Sequence, residues 1–178
     1  HDYNHTWSAR DAVFIAARYS FQMASVGETG WPYLQHRGGP AGFMKVLGER
    51  AIGFADYSGN RQYVSSGNFR NNARVALFFM DYPNRRRLKL LGRVRTIGLD
   101  EPERLAQLED VDYPAQIERG FVITVEGFDW NCPQHITPRF TETEFAGQRS
   151  TLRAEPPRLK AALAGSQRGA LTRVDPRR

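Results

Sequence analysis

Cysteine is nearly absent from this 178-residue chain, which contains a single one, Cys132. An internal disulfide is therefore excluded, and we expect the protein to work in a reducing compartment, the cytoplasm. No apolar run approaches the ~20 residues of a membrane-spanning helix, and the polar N-terminus does not resemble a secretory signal. These absences favour a domain that is stabilised by a packed core and has no membrane partner.

Metal-ligand and nucleophile motifs are missing as well. The four histidines are scattered without the spacing of a metal site, so we predict no structural or catalytic metal. No Gly-x-Ser-x-Gly motif is present, which argues against an α/β-hydrolase. Cys132 precedes Pro133, and we favour a packed thiol over a redox role for it. The sequence motifs identify no catalytic residues, which stay unknown.

Lysine is also scarce: it occurs only at positions 45, 89 and 160, so that 22 of the 25 basic residues are arginine. The net charge of +6 comes from residues 149–178, which hold eight basic and two acidic side chains, whereas residues 1–148 hold 17 of each sign. A neutral body argues against a nucleic-acid-binding surface. The charge distribution predicts a domain over residues 1–148 and a basic C-terminal extension over residues 149–178.

What the chain does contain is a succession of strand patterns with few helices between them. Helices are predicted over residues 11–18 and 100–110, and from Asn60 through the 68–72 region with a break at Gly67. Hairpin-like links between the strands predict a mainly β fold with flanking helices, a small antiparallel barrel rather than a doubly wound parallel sheet. The run 74–80 is almost continuously apolar and indicates a strand buried on both faces. The predicted strands are 21–26, 31–37, 43–47, 51–55, 74–80, 87–97 and 121–128.

Residues 56–62, with the sequence DYSGNRQ, have the composition of an anion site. Gly59 permits a tight turn, and Asn60, Arg61 and Gln62 follow it in the predicted first turn of a helix. Backbone N–H groups at a helix start and one guanidinium could converge on a single phosphate. The alternative is an ordinary helix start with a solvated arginine.

Three motifs in sequence order resemble those of the pyridoxamine 5'-phosphate oxidase-like flavoproteins, the FMN-binding split-barrel family. They are residues 31–39 (WPYLQHRGG), 53–62 (GFADYSGNRQ) and 129–136 (DWNCPQHI). The resemblance covers about residues 10–137. It implies a split antiparallel β-barrel of the FMN-binding type, and a homodimer with two FMN molecules in the clefts between the subunits.

The resemblance also implies which residues contact FMN. The strand after the first hairpin lies along the isoalloxazine edge, Arg61 and its neighbours bind the phosphate, a basic strand adds polar contacts, and a last pair closes the pocket from the partner subunit. Arg37, or alternatively Arg87, is predicted to stabilise the anionic reduced flavin, and His36 is either a ring contact or a structural histidine. The predicted cofactor-binding residues are Gln35, His36, Arg37, Ala55, Asp56, Ser58, Asn60, Arg61, Gln62, Arg87, Lys89, Trp130 and Gln134.

The family implies an FMN-dependent oxidoreductase that transfers hydride or electrons to or from a small molecule. A nicotinamide donor is one candidate source of electrons. The chain departs from the vitamin-metabolising oxidase itself, because Pro40 stands where that enzyme has a basic residue and the C-terminal substrate signature is missing. The alternative is therefore a flavin-binding or sensing protein with little turnover.

Overall fold

The computed structural model of the protein describes residues 3–59 and 62–147. The chain divides into two compact units, His1–Thr137 and Pro138–Arg178. The second unit, as far as it is described, contains a helix over 142–147, at whose start Thr141 and Glu144 cap each other's backbone N–H groups. The predicted boundary between residues 148 and 149 lies outside the described residues and stays a prediction.

The described part of the first unit is built on one antiparallel sheet of seven strands in the order β2-β1-β5-β6-β7-β4-β3. This mainly β, antiparallel architecture with flanking helices confirms the predicted fold class. None of the described helices is long and apolar enough to span a membrane. The elements are α1 (Ala9–Ala16), β1 (Ser20–Val26), β2 (Pro32–Gly38), β3 (Lys45–Val46), β4 (Ala51–Tyr57), α2 (Val64–Asn71), β5 (Arg74–Asp81), β6 (Arg86–Ile97), α3 (Pro102–Ala106) and β7 (Ile117–Trp130).

The first helix begins at a capping box. The Ser8 hydroxyl accepts a hydrogen bond from the Asp11 backbone N–H at 3.2 Å, and the Asp11 carboxylate accepts one from the Ser8 backbone N–H at 2.9 Å. Two N–H groups that the helix itself cannot satisfy are thereby paired. Phe14 and Ile15 on its inner face are buried in the core.

The second helix differs from the prediction in its first residue and in the absence of a break at Gly67. It begins at Val64 instead of Asn60, so that Gln62 precedes the helix, and it continues through Gly67 without a break. A methyl group on Gly67 would meet nothing within 4 Å. The glycine is therefore an exposed helix residue with a propensity cost of about 1 kcal/mol, which the flanking contacts tolerate.

Two other elements also differ from their predictions. The predicted helix over residues 100–110 is only five residues long; Leu105 is its buried side chain, and Leu108, which is also buried, lies beyond its end. Strand β5 is not buried on both faces: Leu77 and Phe79 are buried, whereas Phe78 between them is only partly covered. Its second apolar face belongs to the outer surface of the sheet.

The sheet curls into a barrel, as one ion pair demonstrates. Arg37 lies on β2 and Asp56 on β4, and four strands separate them in the sheet order. In a flat sheet they would stand about 24 Å apart. Their side chains nevertheless form an ion pair, so β2 and β4 face each other across the opening of the barrel.

Helix α2 lies at this opening, where no backbone ladder joins β2 to β4. Ser65 donates a hydrogen bond to Gln35 on β2 at 2.9 Å, and Asn68 donates one to Ser25 on β1 at 2.9 Å. The core on the other side of these contacts is aromatic. Its largest buried side chains are Phe21, Phe54, Phe79, Phe121 and Phe128.

The outer face of the sheet carries a row of apolar residues. Leu34 is opposite Ala24, Ala24 is opposite Ala76, and Ala76 is opposite Leu91, so that the row crosses β2, β1, β5 and β6. Leu34 is 67% exposed and Leu91 40% exposed. A continuous apolar row on an exposed sheet face is typical of an interaction surface.

Candidate functional site

A polar pocket of about 150 Å³ lies at the opening of the barrel, between β2, β4 and the segment that leads into α2. The strands bring charged side chains to it, and the segment before α2 brings backbone and side-chain donors. Its lining residues are Gln35, Arg37, Asp56, Tyr57, Gly59, Gln62, Tyr63, Ser66 and Glu118.

Asp56 is the centre of this pocket and is only 7% exposed. Arg37 pairs with one carboxylate oxygen, and the Nε of Arg119 lies 3.4 Å from the other. Burial raises the pKa of Asp56 above its ordinary value of 3.8, and the two arginines offset this effect only in part. A buried carboxylate whose pKa is shifted by burial and by neighbouring charges is typical of functional sites.

Arg119 and Glu118 extend the charge cluster along β7. Arg119 donates a hydrogen bond to Glu118 at 2.9 Å, and its guanidinium lies 4.8 Å from the centre of the Tyr63 ring. Tyr63 in turn donates a hydrogen bond to Glu118 at 3.1 Å. The hydrogen bond from Arg119 is the main reason why the pKa of Glu118 lies below its ordinary value of 4.5.

Three residues of this cluster were not predicted from the sequence: Glu118, Arg119 and Tyr63. The strand that carries the first two was predicted to begin at Phe121, four residues later than it does. An acidic and a basic residue directly before an apolar strand pattern were a signal for a longer strand. The pairing of Arg119 with Asp56, however, depends on the register between β4 and β7, which places the two residues opposite each other and is invisible in a linear pattern.

The charges of the cluster cancel, because Arg37 and Arg119 face Asp56 and Glu118. An added anion would therefore depend on further donors. Asn60 and Arg61, which were predicted to bind a phosphate, lie outside the described residues. Their neighbours Gly59 and Gln62 line the pocket.

The pocket fits the polar part of a flavin nucleotide better than the whole molecule. Sites for ligands of that size usually enclose ~300–1,000 Å³, which is more than this pocket offers. Among the described residues, the Nε atoms of Arg37 and Arg119 are buried without a hydrogen-bond partner, although the Arg119 Nε lies within ion-pair distance of Asp56. Polar groups of this kind are expected where a ligand supplies the missing partner.

Two predicted site residues lie beside the pocket. Ala55 alternates with Asp56 along β4, so its side chain points to the other face and packs with Ile97, Leu105 and Leu108. Ser58 is exposed and hydrogen-bonds to Glu118 with its side chain. Both positions stay predictions as cofactor contacts.

Three other predicted residues lie on the outer face of the sheet. His36 is opposite Gln22, Gln22 is opposite Phe78, and Phe78 is opposite Lys89, so His36 and Lys89 belong to one row across four strands. Arg87 lies two residues from Lys89 and shares its face. Because side chains alternate along β2, His36 points away from the pocket into which Gln35 and Arg37 point.

Trp130 lies at a third position, at the end of β7. The same strand carries Arg119 at its start, where it pairs with Asp56, so Trp130 is separated from the pocket by eleven residues along β7. Gln134, the other residue of the predicted closing pair, is exposed in the segment after β7.

Hydrogen bonds and aromatic contacts hold Trp130 in place. Its indole N–H donates to Asp11 at 2.9 Å, and its ring lies edge-on to Phe14 with 4.6 Å between the ring centres. Burial alone would raise the pKa of Asp11, but hydrogen bonds from Ser8 and Trp130 and the charge of Arg86 hold it below its ordinary value of 3.8.

Cys132 is exposed, which shows that the favoured interpretation of a packed thiol was wrong. The cysteine follows the last strand and precedes Pro133, so no core element covers it. Within residues 3–59 and 62–147, no three His, Cys, Asp or Glu side chains come together in a way that could hold a metal ion.

A family model described as pyridoxamine 5'-phosphate oxidase matches residues 10–125 of the chain. No curated protein matches the sequence. Solved structures share its fold at low sequence identity, which makes them informative about architecture only.

A candidate pyridoxamine 5'-phosphate oxidase from Lactobacillus delbrueckii is 15% identical with a TM-score of 0.54, and the match covers 71% of this chain and 95% of that one. HupZ from Group A Streptococcus is 11% identical with a TM-score of 0.53, over 75% and 100% of the two chains. An FMN-binding protein from Syntrophomonas wolfei is 10% identical with a TM-score of 0.50, over 68% and 82%.

Proposed function

The chain belongs to the pyridoxamine 5'-phosphate oxidase family, and we propose that it binds FMN with the polar pocket at the barrel opening and works as an FMN-dependent oxidoreductase on a small molecule. The FMN-binding protein from Syntrophomonas wolfei, which has the same fold, supports the choice of cofactor. The arrangement of the predicted contact residues on two faces of the sheet carries the proposal.

A single subunit cannot bring all of these residues to one flavin. Gln35 and Arg37 point into the pocket, whereas His36 and Lys89 point out from the opposite face of the sheet. If two copies pack through their outer faces, the pocket of one subunit and the outer face of the other can contact the same molecule. A homodimer with FMN between the subunits therefore reconciles both sets of contacts.

The apolar row on the outer face supports this dimer. Leu34 and Leu91 are exposed at its two ends, and Ala24 and Ala76 between them are small enough for close packing. Burial of exposed apolar surface stabilises an interface by ~25 cal/mol for each Å². In a symmetric dimer the row would meet its own copy, which is the usual arrangement in homodimers.

The flavin, when bound, supplies the hydride or electron transfer, and the protein positions it and adjusts its charge. Arg61 and the backbone around Gly59 would hold the phosphate, since the other charges of the pocket cancel. Arg37 is fixed by Asp56 and so presents its buried, unpaired Nε in one orientation. No catalytic acid or base is needed when hydride passes directly to a flavin. The substrate would then be selected by the loops around the flavin.

The test is the visible absorption spectrum of the purified protein with and without added FMN. We expect flavin bands with a shape shifted from that of free FMN, and we expect them to be lost in Arg61→Ala. Arg104→Ala is the matched control, because Arg104 is exposed on α3 and pairs only with surface Glu101 among the described residues. A colourless protein that ignores FMN in both forms would contradict the proposal.

Turnover distinguishes an enzyme from a flavin-binding protein. We expect NADH or NADPH to reduce the bound flavin and oxidised flavin to return over many cycles in the presence of an acceptor. Flavin binding without repeated turnover would support the flavin-binding or sensing protein instead, because the family substrate signature is missing from the sequence.

A further inference from the structure

A second pocket, of about 430 Å³, lies between the start of α1, the turn that joins β5 to β6, and the end of β7. Its size falls within the ~300–1,000 Å³ typical of sites for small molecules. It does not share a lining residue with the pocket around Asp56. The side chains that determine its chemistry are Arg10, Asp11, Arg85, Arg86, Trp130 and Asn131.

The pocket has an excess of positive charge, since three arginines face one carboxylate. The oxygens of that carboxylate, on Asp11, already accept hydrogen bonds from Ser8 at 2.6 and 2.9 Å and from Trp130 at 2.9 Å. Among the described residues, neither Arg10 nor Arg85 forms an ion pair. Two guanidinium groups are therefore available to an anion that enters the pocket.

The turn before β6 holds Arg85 in a defined conformation. Asp81 is buried and accepts hydrogen bonds from the backbone and the side chain of Asn84 at 3.2 and 3.0 Å. The next residue, Arg85, has a φ of +51°, a region that non-glycine residues seldom adopt. Such strained positions are common at ligand sites.

Arg86 lies against two adjoining aromatic rings. Its guanidinium lies 4.3 Å from the centre of the Trp130 ring and 4.9 Å from that of the Phe14 ring. A guanidinium in this position keeps its orientation and presents its edge to a phosphate. Charge-assisted bonds from a planar guanidinium suit phosphate oxygens especially well.

One buried acceptor indicates that the ligand also carries a donor. Asn131 lines this pocket, and its side-chain Oδ1 is buried and has no hydrogen-bond partner among the described residues. An acceptor left without a donor costs free energy, so a hydroxyl or N–H group of the ligand would stabilise it.

We propose that this pocket binds a phosphate ester that carries hydroxyl groups, at a site separate from the flavin pocket. Arg10 and Arg85 bind the phosphate, Arg86 supports it, and Asn131 accepts a hydrogen bond from a hydroxyl. A phosphorylated substrate or co-substrate and FMN itself share this chemistry, and the experiment below distinguishes the two sources. The inference does not depend on flavin binding.

The test is calorimetric titration with ribose 5-phosphate at low salt, in the absence and in the presence of saturating FMN. We expect one molecule to bind per chain in both cases. In the double variant Arg10→Gln/Arg85→Asn the affinity for ribose 5-phosphate should fall at least tenfold, because two charge-assisted hydrogen bonds are lost. Asparagine tolerates the left-handed region, so the turn should keep its shape and the melting temperature should not fall.

Arg61→Ala is the crossed control for this experiment. We expect it to weaken FMN binding and to leave ribose 5-phosphate binding within twofold of the wild type. Absence of binding to the wild type would overturn the proposal. So would competition between ribose 5-phosphate and FMN, or loss of ribose 5-phosphate binding in Arg61→Ala, because the phosphate would then occupy the flavin site.

Discussion

Two carboxylates, Asp56 and Asp11, lie in two pockets of the same barrel and are held by opposite means. Asp56 is buried between Arg37 and Arg119, and burial raises its pKa. Asp11 accepts hydrogen bonds from Ser8 and Trp130, which together with a nearby arginine lower its pKa. In the first pocket the arginines are paired with acids, and in the second they are left available.

The difference shows how a chain rich in arginine can build two kinds of site. Where guanidinium groups pair with carboxylates, the result is a rigid, nearly neutral framework that positions a ligand. Where neutral donors hydrogen-bond to the carboxylate instead, the nearby guanidinium groups are not paired with it and can bind an anion. The predictions below test this contrast.

The largest effect is expected for Arg37→Met. Removal of this guanidinium leaves the buried carboxylate of Asp56 with only the more distant Arg119, and we expect a loss of about 3 kcal/mol in the free energy of unfolding at pH 7. Urea denaturation measures this loss. It should become smaller near pH 4, where protonation of Asp56 removes the uncompensated charge.

Two variants control for this effect. Arg104→Met removes an exposed ion pair and should cost no more than about 1 kcal/mol. The double variant Arg37→Met/Asp56→Leu removes both charges and should recover most of the stability that Arg37→Met loses. A double variant as unstable as the single one would show that Arg37 acts through packing and not through Asp56.

A smaller effect is expected for Asp11→Ala. This variant loses the capping box of α1 and the acceptor of the Trp130 indole, which together are worth about 1–2 kcal/mol. Urea denaturation, followed by tryptophan fluorescence, measures it. Glu103→Ala on the exposed face of α3 is the control and should stay within about 0.5 kcal/mol of the wild type.

The smallest effect is a difference in pH dependence. The pKa of Asp56 is raised on folding, so its contribution to stability is fully present below 3.8 and is lost as the pH rises through its folded pKa. The pKa of Asp11 is lowered, so its contribution is present above 3.8 and is lost as the pH falls through its folded pKa.

Melting temperatures between about pH 3 and pH 6 test this difference. As the pH falls below 3.8, the gap between the wild type and Asp11→Ala should narrow. As the pH rises above 3.8, the wild type should lose stability relative to Asp56→Asn. Gaps that change in the same direction for both variants would disprove the contrast between the two carboxylates.

Much of the fold could be predicted from the sequence, because alternation of apolar residues reports which face of a strand is buried. The long strand around residues 87–97 is a local pattern of this kind. The limits of β7 and α2 were less accessible. The first residues of β7 are polar, and they extend the strand because they pair with the end of β4, where Arg119 is opposite Asp56.

The residue types of the candidate site could be predicted from the sequence, but the face of the sheet on which each residue lies could not. Gln35, His36 and Arg37 are adjacent in sequence and were expected to line one flavin edge together. Strand geometry directs His36 to the outer face and the other two into the pocket. Trp130 is separated from this pocket because it lies at the end of β7, whereas Glu118 and Arg119 at the start of that strand reach the pocket.

The most direct test of the two-subunit flavin site is an FMN titration of Leu34→Glu beside wild type and Leu99→Glu. Leu34 lies on the outer apolar row, whereas the equally exposed Leu99 lies in the turn after β6. We predict that Leu34→Glu is monomeric and binds FMN at least tenfold more weakly, while Leu99→Glu matches the wild type. A monomeric Leu34→Glu that binds FMN as tightly as the wild type would contradict the two-subunit site.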